Sequence, residues 1–206
     1  MSKSILEYYD QWSHQAVEVD FSTEEKDLLD ALVLRRHSNH YDDEGEHWYE
    51  DERKQSEIEE QERCGVYTEA ALAKWAFGDI TMMDMTIKPD GDGGLDNVIN
   101  GLSVDIKGST YGVHSGHNPH LLVKMKHVKQ YENTVDAYVF GVLDDDNMRV
   151  RLVGWIPYDE FRDKAEYRAE GSLWTENGTY IPMTESNLVA RPEELQPMHE
   201  LLTTNN

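Results

Sequence analysis

Asp96, Asp105 and Lys107 are the residues of this 206-residue chain whose types and spacing could support chemistry. They flank Asn100-Gly101, a dipeptide typical of a two-residue turn between paired strands. Such a turn sets the register, so it predicts that Asp96 lies opposite Asp105 and that both share a face with Lys107. Carboxylates with Cβ atoms about 4.5–5.5 Å apart can converge on one Mg²⁺ ion. Lys107 could then offset the remaining negative charge or polarise a water molecule.

The same register separates an apolar face of the hairpin from the charged one. It pairs three further couples of residues: Ile99 with Leu102, Val98 with Ser103, and Asn97 with Val104. The face opposite the charged residues carries Leu95, Ile99, Leu102, Val104 and Ile106. We expect this face to anchor the hairpin in the core. In the simpler alternative, Asp96 and Asp105 are exposed residues of a very acidic protein, with Lys107 as their ion-pair partner.

Helices are predicted mainly before the hairpin. An apolar stripe at helical spacing covers residues 5–19. Phe21-Ser22-Thr23-Glu24-Glu25 is typical of a capped helix start and opens a second helix. The polar stretch 37–63 is expected to form an exposed loop and a solvated helix, and residues 68–77 a buried helix.

The remaining pattern predicts one α/β domain over 1–206, with a central mixed sheet flanked by helices. Its strands are predicted at 95–99, 102–107, 121–125, 135–142 and 148–156. A helix opened by a proline should follow at 157–169, and the chain beyond is predicted to be loop-like. The domain therefore divides into a helical, acidic region at 1–63, a core at 64–170 and a C-terminal tail at 171–206.

The composition narrows the class of protein. Asp and Glu number 41 and Lys and Arg 19, so the formal charge is −22, a sign that opposes casual nucleic-acid binding. Adaptation to high salt, a solvated acidic surface or DNA mimicry would each explain it. The single cysteine, Cys64, excludes an internal disulfide. No run of about 18 apolar residues predicts a membrane span, so we expect a soluble, cytoplasmic protein.

The hairpin resembles the PD-(D/E)XK nuclease superfamily, and in particular its small phage- and virus-type members. The resemblance rests on Asp96, on Asp105-Ile106-Lys107 and on Glu69 in the helical segment 65–75. Leu95 stands in place of the proline of the motif's name. The pattern covers about residues 20 to 165 and ends at a segment, 153–157, that resembles the strand-to-helix exit of small members.

This resemblance implies a restriction-endonuclease-like fold and magnesium-dependent hydrolysis of DNA phosphodiester bonds. Asp96, Asp105, Glu69 and the Ile106 carbonyl would be the metal ligands, and Mn²⁺ should replace Mg²⁺. Lys107 would position or deprotonate the attacking water, and Glu69 would orient Lys107 or hold a second metal. A viral member would act in the cytoplasm of its host.

Basic residues are the expected contacts with DNA phosphates. They are Lys124, Lys126, Lys129, Arg149 and Arg151, with Lys124 and Lys126 predicted on one face of a strand. The alternative is ordinary solubilising charge on strand edges. His114, His117 and His120 are interpreted as part of a loop beside the site. Residues 90–96 partly resemble a calcium loop, but Gly101 stands where that loop requires a bidentate acid.

Two other functions compete with the nuclease. An acidic inhibitor that mimics DNA would bind a basic partner and would have no use for Asp105-Ile106-Lys107. A nuclease fold that only binds nucleic acid would lose affinity without its basic residues but would cleave nothing with any metal. The nuclease hypothesis predicts that acidic residues are scattered over the surface and that basic residues surround Asp96. A homodimer is possible under this hypothesis.

Overall fold

The structure is a computed structural model that describes residues 15–42, 52–85, 95–111, 121–144, 146–176 and 179–204. The strands are β1 (Val17–Asp20), β2 (Asn97–Ile99), β3 (Leu102–Tyr111), β4 (Leu121–Lys124), β5 (Ala137–Asp144), β6 (Arg149–Pro157), β7 (Glu166–Arg168), β8 (Leu173–Glu176), β9 (Thr179–Pro182) and β10 (Asn187–Ala190). The α-helices are α1 (Thr23–Asp42), α2 (Glu52–Phe77), α3 (Met125–Gln130), α4 (Tyr158–Lys164) and α5 (Met198–Leu201). Short 3₁₀ helices cover Ile80–Met82 and Pro192–Glu194.

Five strands form a mixed central sheet in the order β1-β6-β5-β3-β2. β3 and β5 run parallel, and the other neighbouring pairs are antiparallel. β4, β10 and β7 form a separate antiparallel sheet, and β8 pairs with β9. Helices flank the central sheet, which confirms the predicted α/β class at this level.

The two faces of the central sheet have separate apolar cores. On one face, α1, α2 and α5 pack against Ile99, Val104 and Ile106 of the hairpin. On the other, Tyr138, Phe140 and Val142 pack with α4 and with β4 and β10. Because successive strand residues alternate between faces, Asp105 and Lys107 belong to the second face.

The first long helix begins where its capping sequence predicts. The Ser22 backbone N–H donates to Glu25 Oε2 at 2.7 Å, and the Glu25 N–H donates to Ser22 Oγ at 3.2 Å. These reciprocal bonds satisfy donors that the first turn of a helix otherwise leaves unpaired. The predicted helix at 68–77 is the last part of the much longer α2, which begins at Glu52.

The strands confirm the five predicted segments, with shifted ends, and three other predictions were wrong. Residues 17–20 form β1 instead of the end of a helix, because Val17 and Val19 alternate with acidic residues as an edge strand requires. The helix at 157–169 stops at Lys164, and β7 follows it. The tail at 171–206 is not loop-like, since β8, β9, β10 and α5 lie within it. Residues 5–14 lie outside the described residues. No helix in the described ranges is long and apolar enough to cross a membrane.

Candidate active site

The hairpin of β2 and β3 has the predicted register. Asn97 pairs with Val104, Val98 with Ser103, and Ile99 with Leu102. Asn100 and Gly101 form the turn with φ angles of 51° and 81°, the left-handed values that a tight hairpin needs at both central positions. The Asn100 side-chain amide also donates to the Leu201 carbonyl at 3.1 Å, so the C-terminal segment holds the turn in place.

Asp105 and Lys107 form an ion pair on this hairpin. Lys107 Nζ lies 2.7 Å from Asp105 Oδ1, and the exposed fractions of the two side chains are 24% and 1%. The carboxylate is therefore enclosed, while the lysine reaches solvent. A buried carboxylate requires such compensation, because transfer from water disfavours its charged form.

Asp96 lies immediately before β2 and is bound to the backbone of β3. Its N–H donates to the Val104 carbonyl at 3.0 Å, and its Oδ2 accepts from the Ile106 N–H at 2.6 Å. Ile106 is the residue between Asp105 and Lys107. The three charged residues predicted from the turn are thus gathered around one dipeptide step of β3, and Asp96 is half-buried there. Of the predicted apolar face, Leu95 is the exception, since 36% of it is exposed.

Tyr138 is a neighbour of Asp105 that the sequence did not reveal. It pairs with Asp105 in the parallel register of β3 and β5, and it is fully buried. Burial, and next the negative charge of Asp105, raise the pKa of Tyr138, so its phenol stays protonated. Its hydroxyl has no hydrogen-bond partner among the residues that the structure describes. A buried phenol therefore lies on the same face of the sheet as Asp105, on the neighbouring strand.

Glu69 is held by Arg36 in the helical layer. The guanidinium donates to Oε1 and Oε2 at 2.9 and 2.8 Å, and also to the Asp84 carbonyl at 2.9 Å. Glu69 stands in the interior of α2 and not in a first turn, as the shorter predicted helix implied. The helix packs on the face of the sheet opposite Asp105. A Cβ atom on Gly108 or Gly141, two positions on that face, would lie within 3 Å of Thr68 of the helix. Arg36 and Glu69 thus link α1, α2 and the segment after the first 3₁₀ helix.

Two of the predicted DNA contacts lie on the same side as Lys107. Lys124 and Lys126 approach Glu185 at 2.8 and 3.1 Å. Lys126 is the second residue of α3, so the prediction that both lysines share a strand face was wrong. Burial first, and then the positive charges of Lys107, Lys124 and Lys126, lower the pKa of His127. The three lysines therefore act on one imidazole. Lys129 is exposed on the same helix.

The two predicted arginine contacts lie elsewhere, on the β1 side of the sheet. Arg149 binds Asp20 at 2.6 Å and Glu18 at 3.2 Å, and Arg151 is bound to Glu18. Arg151 pairs with Val142 in the strand register, four residues along β5 from Tyr138. The structure therefore separates these arginines from the lysines near Asp105.

The donor set can accommodate Mg²⁺ but does not form a complete protein cage. Among the described residues, no group of three or more His, Cys, Asp or Glu side chains is arranged to hold a metal ion. Mg²⁺ usually keeps several waters and takes only one or two carboxylates from the protein, so Asp96, Asp105 and the Ile106 carbonyl have the appropriate chemistry. The interpreted loop at His114, His117 and His120, and residues 90–94 of the calcium-like loop, lie outside the described residues.

Comparisons with protein-family models, with curated proteins and with solved structures found no match for this chain. Its function is therefore inferred from the side chains of the site itself.

Proposed function

We propose that this protein is a magnesium-dependent phosphodiesterase that acts on DNA, with a PD-(D/E)XK-type site on a restriction-endonuclease-like core. The observation that carries the proposal is the gathering of Asp96, Asp105 and Lys107 around Ile106. Two carboxylates and an amine at one strand step are the groups that metal-assisted attack of water on a phosphate requires. The parallel pair β3 and β5 and the long helix α2 support the fold assignment.

Each residue of the site has a distinct role in this proposal. Asp96 and Asp105 would hold Mg²⁺ with the Ile106 carbonyl, and the bound ion would stabilise negative charge on the phosphate. The bond from the Ile106 N–H orients the Asp96 carboxylate. Lys107 is the member of the ion pair that reaches solvent, so its ammonium group can hold the attacking water and stabilise the hydroxide that remains when the water gives its proton to bulk solvent.

Glu69 has a different position in the proposed enzyme. Its carboxylate is bound by both guanidinium nitrogens of Arg36, within the helical layer. The proposed chemistry therefore depends on Asp96, Asp105 and Lys107. Glu69 would support the fold around them.

The test is cleavage of labelled linear, circular, single-stranded and branched DNA with Mg²⁺ or Mn²⁺, from low to high salt. Asp105→Asn and Lys107→Gln should each lower the rate by about 10²–10⁴-fold. Lys164→Gln is the matched control, since Lys164 forms an ordinary ion pair with Glu160 on α4. If the two site variants cut as well as the wild type, the catalytic assignment is wrong.

A second candidate is a related fold that binds DNA without cleaving it. The ion pair favours it, because Asp105 is almost completely enclosed and Lys107 occupies one of its oxygens. Metal binding separates the two functions. If the protein is the proposed enzyme, Mg²⁺ or Mn²⁺ should raise the melting temperature of the wild type but not that of Asp105→Asn. No metal-dependent shift, together with no cleavage, would favour the binding protein.

A further inference from the structure

Lys124 and Lys126 converge on a single carboxylate, that of Glu185. The two ammonium groups lie 2.8 Å from Oε1 and 3.1 Å from Oε2, so each oxygen has its own lysine. A phosphodiester presents two anionic oxygens in a comparable arrangement. The carboxylate therefore occupies a position suited to a phosphate group.

The backbone on either side of Glu185 is held firmly, so the position of this carboxylate is built into the fold. Asn187 lies opposite Lys124 in the pairing of β10 with β4. The Met125 N–H donates to the Ser186 carbonyl at 2.9 Å, and the Asn187 amide donates to the Glu185 carbonyl at 2.7 Å. Rotation of the Glu185 side chain would release the two lysines without breaking these bonds.

The charges around this pair favour an anion once Glu185 has turned away. Lys107 belongs to the same positive region, since it acts on His127 together with Lys124 and Lys126. The whole chain carries a formal charge of −22, so the proximity of three lysines is not a consequence of composition. An ion pair between partly exposed side chains is weak, so a phosphodiester of the same single charge can displace it when other contacts of the DNA add to binding.

We propose that Lys124 and Lys126 form a binding subsite for a backbone phosphate of DNA, and that Glu185 occupies this subsite until DNA displaces it. The inference rests on the proposed function for its ligand, DNA, but not on cleavage. The internal carboxylate lowers affinity for isolated anions, because every ligand must compete with it. A duplex that also engages the region around Lys107 would overcome that competition.

The experiment measures binding of a labelled DNA duplex by fluorescence anisotropy in EDTA, which prevents metal-dependent cutting. Glu185→Gln should tighten binding by about three- to tenfold at low salt, because one competing charge is removed. Lys124→Ala and Lys126→Ala should each weaken binding. Each should also reduce the slope of log affinity against log salt by about 0.9.

The matched control is Glu160→Gln, which removes a comparable half-exposed glutamate from its ion pair with Lys164. If Glu160→Gln tightens binding as much as Glu185→Gln, net charge explains the effect and the subsite is wrong. The subsite is also wrong if Glu185→Gln leaves the affinity for the duplex unchanged, or if neither the wild type nor Glu185→Gln binds the duplex. In a protein that already carries both Lys124→Ala and Lys126→Ala, Glu185→Gln should not change the affinity for the duplex.

A parallel cleavage assay with Mg²⁺ separates this inference from the proposed function. Cutting by the wild type without an effect of Glu185→Gln on binding would overturn the subsite and leave the enzyme standing. Tighter binding by Glu185→Gln with no cutting under any metal condition would keep the subsite. It would overturn the proposed hydrolysis.

Discussion

The two faces of the central sheet are stabilised by different means. On the face covered by α2, the backbone of the sheet approaches a helix so closely that two strand positions, Gly108 and Gly141, have no room for a side chain. On the other face, the strand positions of Asp105, Lys107 and Tyr138 bring an enclosed carboxylate, an ammonium group and a phenol together. Both faces have an apolar core, but the first also depends on close approach of the backbones and the second also on compensation of a buried charge.

This difference separates two acidic residues of the predicted metal site. Glu69 and Asp105 are both acidic, and both were expected to bind the same metal. Glu69 lies in the packed helical layer with Arg36, while Asp105 lies among polar groups on the opposite face. We call the face covered by α2 the helical face and the face of Asp105 and Lys107 the hairpin face. Substitutions on the helical face should mainly change stability. Substitutions on the hairpin face should change both stability and the proposed chemistry.

Removal of the Lys107 charge should have the largest effect on stability. Lys107→Met leaves the Asp105 carboxylate enclosed without this cation, which should cost about 3 kcal/mol. The loss falls at the low end of the range for buried pairs because 24% of the lysine side chain is exposed. The free energy of unfolding in urea measures the loss. The double variant Asp105→Asn with Lys107→Met should recover part of the loss, since the enclosed negative charge is removed together with the lysine. Equal losses in the single and double variants would contradict the contrast between the faces.

A methyl group on the helical face should have the next largest effect. In Gly141→Ala the new Cβ would lie 2.9 Å from Thr68 Cγ2 and 3.3 Å from Thr68 Cβ, deep in the core. Overpacking of this kind costs about 1–3 kcal/mol. Thr68→Ser removes the nearer of these carbons, so the double variant should be more stable than Gly141→Ala alone.

The control for this substitution is Gly65→Ala, on the same helix three residues before Thr68. A Cβ atom on Gly65 would meet nothing within 4 Å, and the residue is in the interior of a helix. Gly65→Ala should therefore stabilise the protein by about 0.5–1 kcal/mol. Destabilisation by both glycine substitutions would mean that space at Gly141 is not the cause.

The hairpin could be predicted from the sequence because its determinants are local. Asn100-Gly101 selects the turn, and alternation then fixes which side chains share a face. The start of α1 was equally predictable, since its capping bonds join residues three apart. In such cases a few neighbouring residues contain all the information.

The surroundings of the hairpin could not be predicted because they depend on contacts between distant segments. Tyr138 reaches Asp105 only through the parallel pairing of β3 with β5. Glu185 reaches Lys124 through β10, a short apolar strand whose sequence has no period that separates a strand from other buried structure. The pair of Arg36 and Glu69 likewise joins residues 33 apart in the chain.

Glu69→Gln sharpens the comparison between the two acidic residues. It weakens a bidentate ion pair whose side chains are mostly buried, so the free energy of unfolding should fall by about 1–2 kcal/mol. Cleavage at a temperature where the variant is folded should remain close to that of the wild type. Arg36→Met, which removes the partner, should produce the same pattern. A large loss of cleavage with Glu69→Gln and not with Arg36→Met would assign Glu69 to the active site.

The smallest effect is a dependence of stability on pH that comes from His127. Burial and the three lysines lower the pKa of His127 below its ordinary value of 6.5, while Glu185 opposes them. Between the lowered pKa and 6.5 the unfolded chain binds more protons at this position than the folded protein does. Stability should therefore rise with pH through that window, and the contribution is lost as the pH falls. His127→Gln should remove this step from the urea midpoints.

A second variant tests whether the neighbouring charges act on His127. Glu185→Gln should lower the pKa of His127 further, because it removes the charge that favours the imidazolium form. The window in which stability rises with pH should then widen towards lower pH. An unchanged window would mean that the lysines and Glu185 do not act on His127 together, and that the hairpin face lacks the concentrated charge that distinguishes it from the helical face.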